Sequence, residues 1–267
     1  MTEEDERREV ADATTLAATR RGAGRRLVLV HGFSQTGACW GPVAADLAAT
    51  HELVLVDAPG HGGSSSVRGS FADGAARLAT TGGVATYVGY SMGGRYVLAL
   101  ALARPDLVTA LVLIGASAGL ASADERSARA AADESLADHL LTIGLPAFLD
   151  EWLARPLFAG LTEAMRFRAE RLANAPAGLA SSLRLAGTGA QPSLGRRLPE
   201  LTMPVLLVTG ALDTKFTTIA AEMTAAIGPN AAHVILPDAG HTAHLENPDA
   251  FLATLREWLA TTATPTP

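Results

Sequence analysis

Short apolar runs recur along the chain at residues 27–30, 53–56, 84–88, 110–114, 205–208 and 233–236. Their apolarity is continuous rather than alternating. That marks strands covered on both faces, as in a mostly parallel sheet. Residues 40–49, 71–81, 96–103 and 248–261 read as helices between or after these runs. Alternating strands and helices predict an α/β fold with helices on both sides of a central sheet. The alternation stops over 120–190, which holds no convincing strand and is rich in Ala, Leu, Arg and Glu. Helix breaks fall at Gly144-Leu145-Pro146 and Ala175-Pro176. This stretch predicts a helical cap inserted over the sheet after the strand ending near Ile114. The expected organisation is a partly disordered leader at 1–24, with an early strand near 14–19. A core at 25–119 and 188–262, a cap at 120–187 and a flexible tail at 263–267 complete it.

Length and composition narrow the class. The 267 residues hold ample apolar content for a large core, and no run is long enough to span a membrane. The first ten residues are charged and acidic, unlike a secretory signal, so a cytoplasmic location is expected. A single cysteine, Cys39, excludes an intrachain disulfide and a cysteine metal cluster. The net charge of −6 argues against a nucleic-acid partner. Basic residues are nearly all arginine, with Lys215 the only lysine. Coding bias explains most of that preference, although arginine also suits bidentate carboxylate recognition.

Gly89-Tyr90-Ser91-Met92-Gly93 fits the G-x-S-x-G nucleophile elbow. An apolar strand leads into it and a helical run follows. The pattern needs that strand, turn and helix to mean anything. Serine is a poor nucleophile or base until another group takes its proton. Asp213 stands after the strand at 205–208, and His241 after the strand at 233–236. The order Ser, Asp, His is that of α/β-hydrolases, and both partners follow C-terminal strand ends, where open α/β sheets place their sites. Each also has an ordinary reading, Asp213 as a turn or helix cap and His241 as a structural imidazole. Asp57, His31, His61 and His244 are rivals. Asp57 and His61 lie in a Gly/Pro loop, where the expected role is to shape the loop, and His31 is expected to order the turn after its strand. The backbone amides of Met92 and Phe33 are the candidate oxyanion donors, with Gly32 allowing close approach.

Arg95 falls in the first turns of the elbow helix. A cation there opposes the helix dipole. An anion to be met is one reason to place it there; a surface salt bridge is the plain alternative.

These residues together resemble the MenH family, the SHCHC synthases, which are lyases of the α/β-hydrolase superfamily. The resemblance runs from about residue 27 to residue 258. It rests on His31-Gly32-Phe33-Ser34, on 57–64 and on Gly89-Tyr90-Ser91-Met92-Gly93-Gly94-Arg95. It continues through 187–194, Leu201-Thr202-Met203-Pro204, Asp213-Thr214-Lys215-Phe216 and 239–248. Tyr-Ser-x-Gly-Gly-Arg, Gly-Thr-Gly-x-Gln-Pro-Ser and Asp-x-Lys-Phe are its specific parts; many α/β-hydrolases share the rest.

The resemblance implies elimination of pyruvate from SEPHCHC, an enolpyruvyl cyclohexene with several carboxylates, to give SHCHC for menaquinone synthesis. It implies no acyl-enzyme. The triad serine removes a ring proton as general base, and the oxyanion hole meets charge building on the succinyl carbonyl. Tyr90 and Arg95 match the family's anion-binding positions within the elbow. Weaker cap similarity implies Arg129, Trp152 and Arg171 as further substrate contacts. Their ordinary readings are helix ion pairs and, for Trp152, core packing. Gly195 stands where a bulky residue is expected, and the N-terminal leader is longer than expected. No cofactor or metal is implied, and the expected partner is a small polycarboxylate substrate. Two other functions remain open: a hydrolase using the same triad on an ester or on a carbon–carbon bond beside a ketone, and a binding protein on this fold. An arginine-lined pocket favours the lyase, and an apolar one a hydrolase of neutral esters.

Overall fold

The structure, a computed structural model, describes residues 15–262. The expected leader up to residue 14 and the tail at 263–267 lie outside the described residues. One sheet is built from β1 (Ala18–Arg21), β2 (Arg25–Val30), β3 (His51–Val56), β4 (Ala85–Tyr90), β5 (Val108–Ile114), β6 (Val205–Gly210) and β7 (Ala231–Leu236). Their spatial order is β1-β3-β2-β4-β5-β6-β7. β1 pairs antiparallel with β3, and every other neighbouring pair is parallel. The chain moves outward from β2 to β3 on one side and then crosses to β4 on the other. That reversal opens a crevice beyond the carboxyl ends of β2 and β4.

The helices are α1 (Gly41–Leu47), α2 (Phe71–Gly82), α3 (Met92–Ala103), α4 (Ala123–Ile143), α5 (Leu145–Leu153), α6 (Arg168–Leu172), α7 (Pro176–Ala186), α8 (Thr214–Ile227), α9 (Ala243–Glu246) and α10 (Pro248–Thr262). The two-residue strand period divides the buried side chains between two faces. Val28, Val30, Val54 and Leu111 pack with apolar residues of α2, α3 and α8. Leu27, Leu29, Leu53 and Val112 pack with those of α1 and α10. Both faces are covered, which is why the central strands are apolar throughout. Local signals set the ends of α2. Ser70 and Asp73 exchange capping bonds at its start, and Gly83 closes it at φ 64°.

Helices α4 to α7 occupy the chain between β5 and β6. Of these, α4, α5 and α7 share a small core of their own, which holds Leu140, Phe148, Leu149, Leu179 and Leu183. Gly144, at φ 78°, separates α4 from α5.

Three local expectations need correction. Residues 40–49 are not one helix: a 3-10 turn at Gly37–Trp40 precedes α1. Gly41 stands at the junction at φ 39°, where a Cβ would come within 2.5 Å of the Phe167 ring. β1 lies at Ala18–Arg21, later than the early strand anticipated near 14–19 and within the segment expected as leader. Val84 precedes β4 and is exposed. No helix among the described residues is long and apolar enough to cross a membrane.

Candidate active site

β4 delivers Ser91 into a turn at φ 49°, ψ −109°, before α3 begins at Met92. An L-residue rarely adopts positive φ, and holding it there costs about 1–3 kcal/mol. The surrounding glycines make the turn possible. A Cβ on Gly93 would meet the Val30 carbonyl oxygen at 2.1 Å, and one on Gly89 would meet the backbone of Gly93 and Gly94 at 2.6 Å. The Ser91 amide donates to the Ile114 carbonyl at 2.8 Å, fixing the elbow to β5.

Asp213 and His241 reach the same point. His241 Nδ1 donates to Asp213 Oδ2 at 2.7 Å, and His241 Nε2 stands 3.2 Å from Ser91 Oγ. With its Nδ1 proton held by the carboxylate, the imidazole presents the Nε2 lone pair to the serine hydroxyl. Asp213 also caps α8, since its Oδ1 accepts from the Phe216 amide at 3.2 Å. The two readings of this residue are therefore compatible, one for each oxygen. Glu246 secures the His241 loop by accepting from the amides of Gly240 and Thr242, at 2.7 and 2.9 Å.

The rival histidines are committed to backbone groups or rings. His31 Nε2 accepts from the Ala58 amide at 3.1 Å while its Nδ1 bonds the Gly32 carbonyl. His61 Nε2 accepts from the Ser34 amide at 3.2 Å, and its Nδ1 donates to the Pro59 carbonyl. His244 lies among the Trp40, Tyr90 and Phe251 rings. Burial pushes these pKa values down to about 4, about 3 and about 3, so all three are neutral at pH 7. Asp57 accepts from the amides of Gly37 and Gly63 and holds its loop.

A cavity of about 650 Å³ lies over Ser91, between the sheet edge and the cap. Phe33, Met92, Tyr90, Arg95, Arg129, Trp152 and Arg171 all border it, together with the triad, so every site residue expected from the sequence meets here. Arg95 is buried. Its Nη1 donates to Gln191 Oε1 at 2.9 Å and to the Ala186 carbonyl at 3.2 Å, and its guanidinium lies 5.6 Å from the Phe71 ring centre. These partners are neutral. Burial lowers its pKa to about 10, which leaves it a cation at pH 7. Arg171 is 1% exposed and donates to the Arg166 carbonyl at 2.8 Å and to Ser34 Oγ at 2.5 Å. Neither arginine has a carboxylate within ion-pair distance among the described residues. Arg129 differs, being half exposed and paired with Asp133 at 2.7 Å. The Trp152 indole stacks on Phe148 and meets Phe33 edge-on, and its buried Nε1 has no hydrogen-bond partner among the described residues. Tyr90 packs 5.5 Å from the His241 ring, with its hydroxyl raised in pKa chiefly by burial.

Gln191, which holds Arg95, and Arg155 and Lys215, which border the cavity, were not among the expected site residues. Gln191 could have been found, because its motif and the elbow motif are both specific parts of the resemblance, and they meet at Arg95. Gly195 has open space around it: a Cβ there would meet nothing closer than Ser193 Oγ at 3.8 Å. It borders a second recess of about 390 Å³ that also reaches Ser91 and Arg95.

Fold and triad geometry define an α/β-hydrolase, and a model of the alpha/beta hydrolase family matches residues 27–254. A 2-succinyl-6-hydroxy-2,4-cyclohexadiene-1-carboxylate synthase from Escherichia coli O1:K1 / APEC is 35% identical, over 87% of this chain and 93% of its own length. The structure of MenH from S. aureus superposes with a TM-score of 0.85 at 27% identity, covering 92% of this chain and 99% of that one. A thermophilic esterase from Thermogutta terrifontis superposes at 0.80 with 26% identity, covering 93% and 94%. The chain belongs to the alpha/beta hydrolase family and, within it, to the SHCHC synthases, the MenH family of lyases.

Proposed function

We propose that this protein eliminates pyruvate from SEPHCHC to give SHCHC, a step of menaquinone biosynthesis, with Ser91 as the general base. The observation that carries this reading is Arg95. A buried guanidinium held only by neutral oxygens costs several kcal/mol unless an anion completes it. It borders the same cavity as Ser91, and Arg171 repeats the arrangement on the cap side. A cavity with two such cations suits a polycarboxylate better than a neutral ester.

The triad geometry supports base chemistry. The Ser91 proton passes to His241 Nε2 as Ser91 Oγ takes a ring proton beside the succinyl carbonyl. The electron pair released shifts through the ring double bond and expels the enolpyruvyl oxygen from its ring carbon. The leaving group then takes up a proton and tautomerises to pyruvate. Asp213 stabilises the imidazolium formed meanwhile. The amides of Phe33 and Met92 are assigned to the charge on the succinyl oxygen, because both residues border the cavity beside Ser91. Tyr90, Arg129 and Trp152 are assigned to the substrate with Arg95 and Arg171. The Trp152 Nε1, without a partner among the described residues, is the donor best suited to a ligand oxygen.

The same serine–histidine contact suits acyl transfer, and the esterase neighbour keeps an ester hydrolase as the second reading. The two part in one assay. Pyruvate release from freshly made SEPHCHC is measured beside cleavage of a p-nitrophenyl ester, with wild type and Ser91→Ala. Fast pyruvate release that Ser91→Ala abolishes is expected. Ester cleavage with pyruvate release at the spontaneous rate would move the function to the hydrolase reading.

A further inference from the structure

Two cations at the edge of the cavity over Ser91 have no part in the function proposed above. Arg155 follows α5 in the cap, and Lys215 lies in the first turn of α8 in the core. Both are exposed and both border the cavity. They therefore stand at its mouth, one on each side of the boundary between cap and core. Neither forms an ion pair among the described residues. The Arg155 guanidinium lies over the Trp152 ring system, 4.3 Å from its centre. The acidic group acting on it, Glu151, is bonded to His139 at 2.7 Å. The Lys215 ammonium lies 5.8 Å from the Phe216 ring, and that ring packs 4.5 Å from the His241 imidazole. Each cation is thus placed by an aromatic residue that itself borders the site, which leaves its hydrogen-bond donors open.

The overall charge sharpens the contrast. The chain carries a net charge of −6, so its overall field repels a polyanion. An unpaired arginine and the only lysine in the sequence nevertheless both fall on this rim. Exposed cations gain little from structural ion pairs, but a charged rim around a cavity raises the local concentration of an oppositely charged ligand.

We propose that Arg155 and Lys215 form a cationic collar that captures an outer carboxylate of a polycarboxylate substrate as it enters, and so act as specificity residues for the reaction. This rests on the polycarboxylate reading given above. The collar acts on capture and ground-state binding, whereas Arg95 and Arg171 act inside. Its contribution therefore falls on KM and weakens with salt.

The test has two arms. Pyruvate release is measured for wild type, Arg155→Gln, Lys215→Gln and the double variant, at low salt and at about 1 M salt, where the Debye length is about 3 Å. The double variant is expected to raise KM about ten-fold at low salt, to lower kcat less than two-fold and to lose most of the KM difference at high salt. Arg155→Lys, which keeps the charge, is expected to recover most of the single-variant loss. The second arm needs no turnover. Because Lys215 is the only lysine, its reductive methylation is followed by peptide mass spectrometry with and without citrate as a tricarboxylate probe. Citrate is expected to slow modification in wild type and to slow it less in Arg155→Gln. An unchanged KM in the double variant, or a loss confined to kcat, overturns the collar. Equal modification rates with and without citrate overturn it too. Should the wild type release no pyruvate, the lyase reading fails, and the methylation arm alone decides the collar.

Discussion

The floor and the roof of the candidate active-site cavity are built differently. The floor is the carboxyl edge of the sheet, where Ser91, Asp213 and His241 hang from strand ends tied by backbone hydrogen bonds. Ser91 bonds to β5, Asp213 caps α8, and Glu246 clamps the amides on either side of the His241 peptide. The roof is helices α4 to α7, of which α4, α5 and α7 share a small apolar core. It supplies Arg129, Trp152, Arg155 and Arg171. Proton transfer needs heavy atoms held within hydrogen-bond reach, and a strand-end scaffold supplies that. Recognition of a charged substrate needs donors gathered around a volume, which separate helices can provide. On the proposed reading, the proton-transfer groups hang from the sheet and most of the substrate-selecting groups from the inserted helices, with Arg95 a buried cation contributed by the floor.

The largest break is at the floor. Ser91→Ala should lower pyruvate release by about 10³-fold or more while leaving the melting temperature at or above that of wild type. A residual rate near wild type would remove Ser91 as the base.

Acid should separate the two halves next. His31, His61 and His244 are held neutral in the floor by burial, with folded pKa values of about 4, about 3 and about 3 against an ordinary 6.5. The unfolded chain binds these protons below pH 6.5 and the folded chain does not. Their stabilisation is therefore complete above pH 6.5 and is lost as pH falls toward 4 and then 3, at up to about 1.4 kcal/mol per group per pH unit. Urea unfolding from pH 7 to pH 4 checks this, and a flat midpoint would contradict it.

Arg95→Ala should cost about 2–5 kcal/mol in kcat/KM, the usual loss on truncating a desolvated charge partner. An unchanged kcat/KM would show that the guanidinium serves only Gln191 and Ala186. At the roof, Leu149→Ala should leave a cavity in the cap core and cost about 2–5 kcal/mol of local stability. Hydrogen exchange should then quicken across α4, α5 and α7 with β4 and β5 unaltered. Equal quickening in both halves would show that roof and floor are one cooperative unit.

The same contrast explains what the amino-acid sequence disclosed. Floor strands such as Leu27, Val28, Leu29 and Val30 are buried on both faces, so they appear as unbroken apolar runs. The elbow was legible because its glycines are sterically required, and the triad because each member follows its own strand. β1 was harder to place, since an edge strand exposed throughout has no apolar pattern. α8 was not anticipated: Thr214, Thr217, Thr218 and Thr224 weaken its helical signature, and its cap, Asp213, reads equally as a catalytic carboxylate. In the roof, Arg171 reads as an ordinary helix arginine, and nothing local to Arg-Ala-Glu-Arg-Leu announces that it is 1% exposed. Arg155 and Lys215 depend on cap and core meeting, a relation that no single stretch of chain encodes.

The role proposed for Ser91, His241 and Asp213 is that of a base on a carbon acid rather than a nucleophile on a carbonyl. It is tested most directly with SEPHCHC deuterated at the ring carbon beside the succinyl carbonyl, with enzyme quenched during turnover and weighed intact by mass spectrometry. Slower pyruvate release from the deuterated substrate and an unmodified enzyme mass are expected. Equal rates for the two substrates, with a covalent adduct on Ser91, would contradict it.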